Sequence, residues 1–142
     1  MEKRGKIEMI NIKANRYITK DNHLDFHFLP IPRIFFTSEI YQGLSNDAKV
    51  AYAEFFCLTE ISKKNNWIDE NNRFYFMYTN KKLMELLNIR GTEKLVKIKK
   101  ELIKCNLLTE TQVLGRPSIY YLLLPIFDDN TIKKEREFYY ER

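Results

Sequence analysis

Eight basic side chains crowd the stretch Thr79–Lys104: Lys81, Lys82, Arg90, Lys94, Lys97, Lys99, Lys100 and Lys104. Only Glu85, Glu93 and Glu101 oppose them, so the segment carries the same surplus of five positive charges as the whole 142-residue chain. The remaining residues therefore balance to zero. Ammonium and guanidinium groups gathered on one segment can neutralise phosphate oxygens and donate to base edges, which is the chemistry of a nucleic-acid surface. The competing reading is an ordinary solvated helix face.

Other chemistries find less support. His23 and His27 are four residues apart, and in an extended segment that separates them by about 13 Å along one edge. Two histidines with two distant cysteines, Cys57 and Cys105, do not make a zinc site. A nicking enzyme needs a His-x-His metal pair and a nucleophilic Tyr, whereas this pair is split by three residues and Tyr139 and Tyr140 lie in a charged tail. Four glycines, at 5, 43, 91 and 115, leave no phosphate-cradling loop. The expectation is a binding domain with no enzymatic activity, metal or cofactor. Isolated cysteines and a charged start without a signal peptide suggest a reducing, cytoplasmic setting. No apolar run approaches the roughly 18 residues that would span a bilayer. With 44% hydrophobic residues, the chain has enough apolar surface for a real core.

The elements that must hold the lysines are legible from spacing. Residues 1–25 read as a partly ordered arm, with one strand at Met9–Ile12. Leu24, Phe26 and Phe28 alternate at strand spacing before Pro30 and Pro32. The segment Arg33–Gln42 suits a short helical turn or two. Ser45 is an N-cap candidate for a long helix over Asn46–Lys64, with Leu44, Ala48, Ala51, Phe55 and Leu58 on its apolar face. Trp67–Arg73 is a turn, and Phe74–Tyr78 is a short aromatic strand. Thr79 caps a helix over Asn80–Leu87. After the turn Asn88–Gly91, Thr92 caps another over Glu93–Cys105. Leu107–Val113 and Ser118–Leu124 form a hairpin around Gly115-Arg116-Pro117. From Asp128 the charged sequence predicts a tail or the start of a linker.

This order predicts an α+β winged helix-turn-helix over residues 26–127. It has three main helices, a short strand and a two-stranded wing, behind an N-terminal arm. With Ile98 at zero on a helical wheel, Leu95, Leu102 and Cys105 fall within about 60° of it, while Glu93, Lys97, Lys100 and Lys104 lie opposite. The third helix thus has a dry stripe and a basic stripe. Thr92, Glu93, Val96 and Lys97, near its start, are the first candidates for base contact, with Arg90, Lys94, Lys100 and Lys104 alongside. Val96 equally suits the flank of the core. Lys81 and Lys82 can meet a phosphate at the start of the second helix, or simply be solvated. Arg116 at the wing tip suits a minor groove or a phosphate, or serves solubility.

At this level of detail the sequence resembles the RepA-type plasmid replication initiators of Gram-positive bacteria. The run Ile31-Pro32-Arg33-Ile34-Phe35-Phe36-Thr37 is similar to the family's "IPKxFFT" opening, and Gly43-Leu44-Ser45-Asn46-Asp47-Ala48-Lys49-Val50-Ala51-Tyr52 also matches. Asn65-Asn66-Trp67-Ile68-Asp69-Glu70-Asn71 resembles the "NNWIDENG" turn. Leu83–Asn88 and Lys97–Leu102 match its two helices, and Gly115-Arg116-Pro117 stands at its wing. Two departures are local: Asn72 replaces a usual Gly, and Arg90-Gly91-Thr92 differs from the common Cys-Ser-Lys-like start of the recognition helix. The resemblance implies an N-terminal domain that binds double-stranded DNA at origin repeats (iterons) as a homodimer. It also implies that host replication proteins are engaged through a C-terminal domain absent from this chain. A winged-helix transcriptional repressor is the alternative from the residues alone. Phe26, Phe28, Phe35 and Phe36 exceed what a small winged helix needs, and are expected to let the arm pack against a second subunit.

Overall fold

The computed structural model describes residues 16–21, 27–127 and 129–139. The strand expected at Met9–Ile12 lies outside these residues, as do His23, Leu24 and Phe26. From His27 to Pro32 the chain is irregular, because two prolines deprive it of ladder donors. Helix α1 (Ile34–Thr37) and a 3-10 turn at Glu39–Tyr41 follow, the latter capped by the Ser38 hydroxyl.

Helix α2 (Asn46–Asn65) begins where the Ser45 hydroxyl accepts from the Ala48 N–H, with Asp47 in its first turn and Lys63 and Lys64 in its last. Those charges oppose the helix dipole at both ends. It stops where Asn66 turns left-handed at φ 62°. Asn72, standing where the resembling family usually has Gly, also has φ 62°. Asparagine is among the few side chains that tolerate this region, so the backbone requirement survives the replacement.

Helix α3 (Asn80–Leu87) is capped by Thr79 and ended by left-handed Asn88. Helix α4 (Thr92–Lys104) starts one residue earlier than expected. Gly91, extended at φ −101°, is its N-cap, and Thr92 is already helical. Half-buried Ile89 packs on the core, and the cap position falls on Gly91, which offers no side chain to the first turn.

Strands β1 (Phe76–Tyr78), β2 (Leu108–Val113) and β3 (Arg116–Leu122) form one antiparallel sheet in the order β1-β3-β2. The short strand is thus part of the wing sheet, with Phe76 opposite Tyr120. It is shorter than expected because Phe74 makes only an isolated bridge to Ile68. The hairpin also shifts relative to expectation. Arg116 opens β3 opposite Val113, so the tip is Leu114-Gly115, with Gly115 at φ 74°. Pro117 is tolerated beside the register shift between Thr111 and Val113, where a ladder N–H is not required.

The core joins these parts. Phe55, Phe76 and Tyr120 form an aromatic column with centroids 5.6 and 5.2 Å apart. Leu83, Leu95, Ile98 and Leu102 close it from the helix-turn-helix side. Phe35 meets Tyr41 and Tyr52 edge-on. The Tyr52 hydroxyl donates to the Leu123 carbonyl, and the Tyr41 hydroxyl accepts from the Ile126 N–H, both at 2.8 Å. Burial, then the neighbouring Tyr41, pushes the Tyr52 phenol up to about 12. These bonds tie the chain leaving the wing to α2 and to the 3-10 turn that follows α1. Asp129–Tyr139 is helical (α5) rather than a tail, with Thr131 buried and α5 packed on α1. Asp129, Lys133, Lys134, Arg136 and Glu137, among the charged residues that suggested a tail, are exposed, and Lys134 meets Glu39 at 3.8 Å.

Candidate nucleic-acid interface

Helices α3 and α4 and their turn form the helix-turn-helix, with α4 anchored by Leu95, Ile98 and Leu102. Every residue singled out from the sequence is exposed: Lys81, Lys82, Arg90, Thr92, Glu93, Lys94, Val96, Lys97, Lys100, Lys104 and Arg116. Val96, at 37% exposure, is an outward residue of α4 and not part of the core. The acidic residues interfere little with this face. Glu101 turns away, accepting from the Ser45 N–H and hydroxyl at 2.9 Å each, which leaves Glu93 as the carboxylate on the outer side of α4. Lys94 lies apart from the outer stripe, 3.5 Å from Asp47 at the start of α2. That pair is exposed and screened, so it contributes little to stability.

Two recesses flank the start of α3. One, of about 420 Å³, is lined by Thr79, Asn80, Gly115, Arg116, Pro117 and Ser118. The other, of about 590 Å³, is lined by Asn80, Lys81, Met84, Asn88, Ile89 and Thr92 among others. The fold therefore brings Lys81, Thr92 and Arg116 around the first turn of α3. First-turn N–H groups have no partners within the helix and favour anions. Lys104 is the last residue of α4.

Lys99 has a different role from its neighbours. It is buried, at 6% exposure. Its ammonium donates to Glu110 Oε2 at 2.9 Å and to Asn80 Oδ1 and the Tyr120 hydroxyl at 3.1 Å each. Tyr120 in turn donates to Glu110 Oε2 at 2.9 Å. Lys99 counted toward the charge surplus of Thr79–Lys104, but Glu110, outside that segment, neutralises it. The sequence held a signal for this pairing: Glu110 is two residues from buried Leu108 and so shares its inward strand face. Burial alone would raise the Glu110 carboxyl. Hydrogen bonds from Lys99, Tyr120 and Ser118, with the Lys99 charge, outweigh that and hold it below its ordinary value. Burial and then the bond to Glu110 push the Tyr120 phenol up.

Comparison with known proteins places this geometry in context. The family model described as replication initiator protein A (RepA) N-terminus matches residues 27–134. A 41 kDa protein of Lactobacillus helveticus is 32% identical over 108 residues. The match covers 71% of this chain, which spans about 30% of that relative's length. Among solved structures, an N-terminal domain of a DNA binding protein is 44% identical with a TM-score of 0.74, over 88% of this chain and 96% of the other. A Rep-DNA complex is 44% identical at TM-score 0.75, over 87% and 96%. An MDR initiator is 39% identical at TM-score 0.73, over 87% and 98%.

The buried pair makes a stability prediction. Lys99→Met leaves the Glu110 carboxylate without its cation and is expected to cost about 3 kcal/mol at pH 7, whereas Lys97→Ala stays within about 0.5 kcal/mol. A carboxyl lowered by folding stabilises the fold above its unfolded value, about 4.3 for Glu, and that contribution is lost as pH falls through the folded value. The wild-type protein should therefore lose stability toward acid, and the Lys99→Met penalty should shrink as Glu110 protonates. Urea unfolding at neutral and acidic pH measures both. Equal costs for the two lysines, or a penalty independent of pH, contradict the assignment.

Proposed function

The chain belongs to the family of replication initiator protein A N-termini, and on that premise we propose that it binds double-stranded DNA sequence-specifically at repeated sites of a plasmid origin, to initiate replication. The observation that carries this reading is the division of α4. Leu95, Ile98 and Leu102 are buried, while Glu93, Val96, Lys97, Lys100 and Lys104 face outward. A helix held by one stripe presents the other to a major groove wide enough to admit it. Arg116, in the recess beside the start of α3, offers a second contact to backbone or minor groove. The likeness to a solved Rep-DNA complex over 87% of this chain supports the DNA-binding reading.

Base reading in this proposal belongs to Thr92, Glu93, Val96 and Lys97, and phosphate binding to Lys81, Lys82, Lys100, Lys104 and Arg116. Arg90-Gly91-Thr92, where the sequence departs from its relatives, is exposed at the turn into α4 and is the place to discriminate one origin from another. The domain acts by binding, not by catalysis.

The functional unit we propose is a homodimer. Phe36 and Ile40 near α1, and Ile126, Phe127 and Ile132 around the start of α5, are 42–60% exposed, on elements that pack together. Phe35, by contrast, is buried within the subunit and is not available to a partner, and Phe26 lies outside the described residues. Sedimentation equilibrium is expected to give a dimer. A monomer across the concentration range contradicts this part.

Footprinting on the parental plasmid, with wild-type and Lys100→Ala proteins over a range of salt, tests the function. Wild-type protein is expected to protect repeated sites in the replication region. Lys100→Ala should weaken binding to all sequences and lower the salt slope by about 1. Protection confined to a lone promoter operator favours a repressor, and no sequence-dependent protection at physiological salt rejects both.

A further inference from the structure

We propose that the buried Lys99–Glu110 pair is a positioning device for DNA recognition, holding the wing in fixed register with the recognition helix so that both engage one duplex. The proposal rests on the DNA-binding reading above. The pair sits where every element of that surface meets. Lys99 is on α4, one residue before outward Lys100. Its three ammonium protons go to Asn80, the first residue of α3 and the neighbour of Lys81, to Glu110 on β2, and to Tyr120 on β3. The Tyr120 hydroxyl closes the ring by donating to Glu110. All three donors are used, and no buried side-chain polar atom among the described residues lacks a partner.

The placement explains why a charge is kept where an aliphatic side chain would fill the space. A buried ion pair is a poor source of stability compared with apolar packing, but it accepts only one geometry. Beyond Glu110 the hairpin is held by the pairing of β3 with β1, at Met77 and Tyr78, which fixes it within the sheet and not to α4. Thr111, Gln112, Leu114, Gly115 and Arg116 are all exposed. The Lys99 ring is the buried polar tie between α4 and both strands of the wing. Without it, Arg116 can still reach DNA, but not in step with the α4 contacts.

The test is a double-mutant cycle on DNA affinity. A short duplex is first recovered by selection with the wild-type chain from a random-sequence pool. Arg116→Ala is then compared with its parent in the wild-type and Lys99→Met backgrounds, with the active fraction of each protein measured by titration. Arg116→Ala is expected to weaken wild-type binding about tenfold and the Lys99→Met protein less than about twofold. A merely structural role lowers the active fraction but leaves the Arg116 penalty unchanged, so equal penalties in the two backgrounds overturn the proposal. So does an Arg116→Ala protein that binds like wild type. Should Lys99→Met not fold, Tyr120→Phe removes one link of the ring while keeping its aromatic stack, and the same reduction or equality decides. If the wild-type chain enriches no duplex, the DNA-binding reading itself fails, which is distinct from equal penalties on a duplex that is bound.

Discussion

Tyr120 stands where the apolar core meets the basic surface. Its ring stacks on Phe76 at 5.2 Å, and Phe76 in turn touches Phe55 of α2. Its hydroxyl lies between Lys99 and Glu110. One side chain thus ties the long helix, the sheet and the recognition helix. Ring burial drives the packing, since an aromatic residue removes 150–250 Å² from water. The hydroxyl then needs partners at that depth, and the polar ring supplies them. The rotation of α4 about its axis follows: with Lys99 held inward beside Ile98, Lys97 and Lys100 must face out.

The electrostatics of the surface depend on that rotation. An even scatter of lysines around α4 would give a weak, diffuse field. Instead, Lys99 is neutralised inside, Glu101 is drawn to the start of α2, and Lys94 leans toward Asp47. The charges that remain outward on α4 are basic apart from Glu93. The first turn of α3 and Arg116 extend the same sign toward the wing. Much of this surface is exposed, so its attraction for polyanions is screened by salt, and its shape must provide the selectivity.

Much of this architecture was legible in the sequence, for identifiable reasons. The Ser45 and Thr79 caps, the 3–4 spacing of Leu95, Ile98 and Leu102, and the hairpin turn are local signals, and each reappears in the structure. Strand boundaries moved where pairing partners elsewhere in the chain set them: Phe74 makes only an isolated bridge to Ile68, and pairing across the hairpin put Arg116 into β3 rather than at the tip. Helix α5 was missed because its charged composition hides a short inward face whose partner, α1, lies about ninety residues earlier in the chain. Lys99 was read only as charge because its partners come from three other elements. Helical periodicity places it at the edge of the dry stripe, but only the inward parity of Glu110 hints at the pairing.

The central claim is that the outer stripe of α4, the first turn of α3 and Arg116 form one surface for duplex DNA. Amide chemical-shift mapping during titration with a duplex containing the origin repeat tests it most directly. The account predicts that perturbations cluster at residues 80–82, 90–104 and 114–117, while the turn from Trp67 to Phe74 stays silent. Perturbations centred on that turn or on α5, with α4 unchanged, would contradict it.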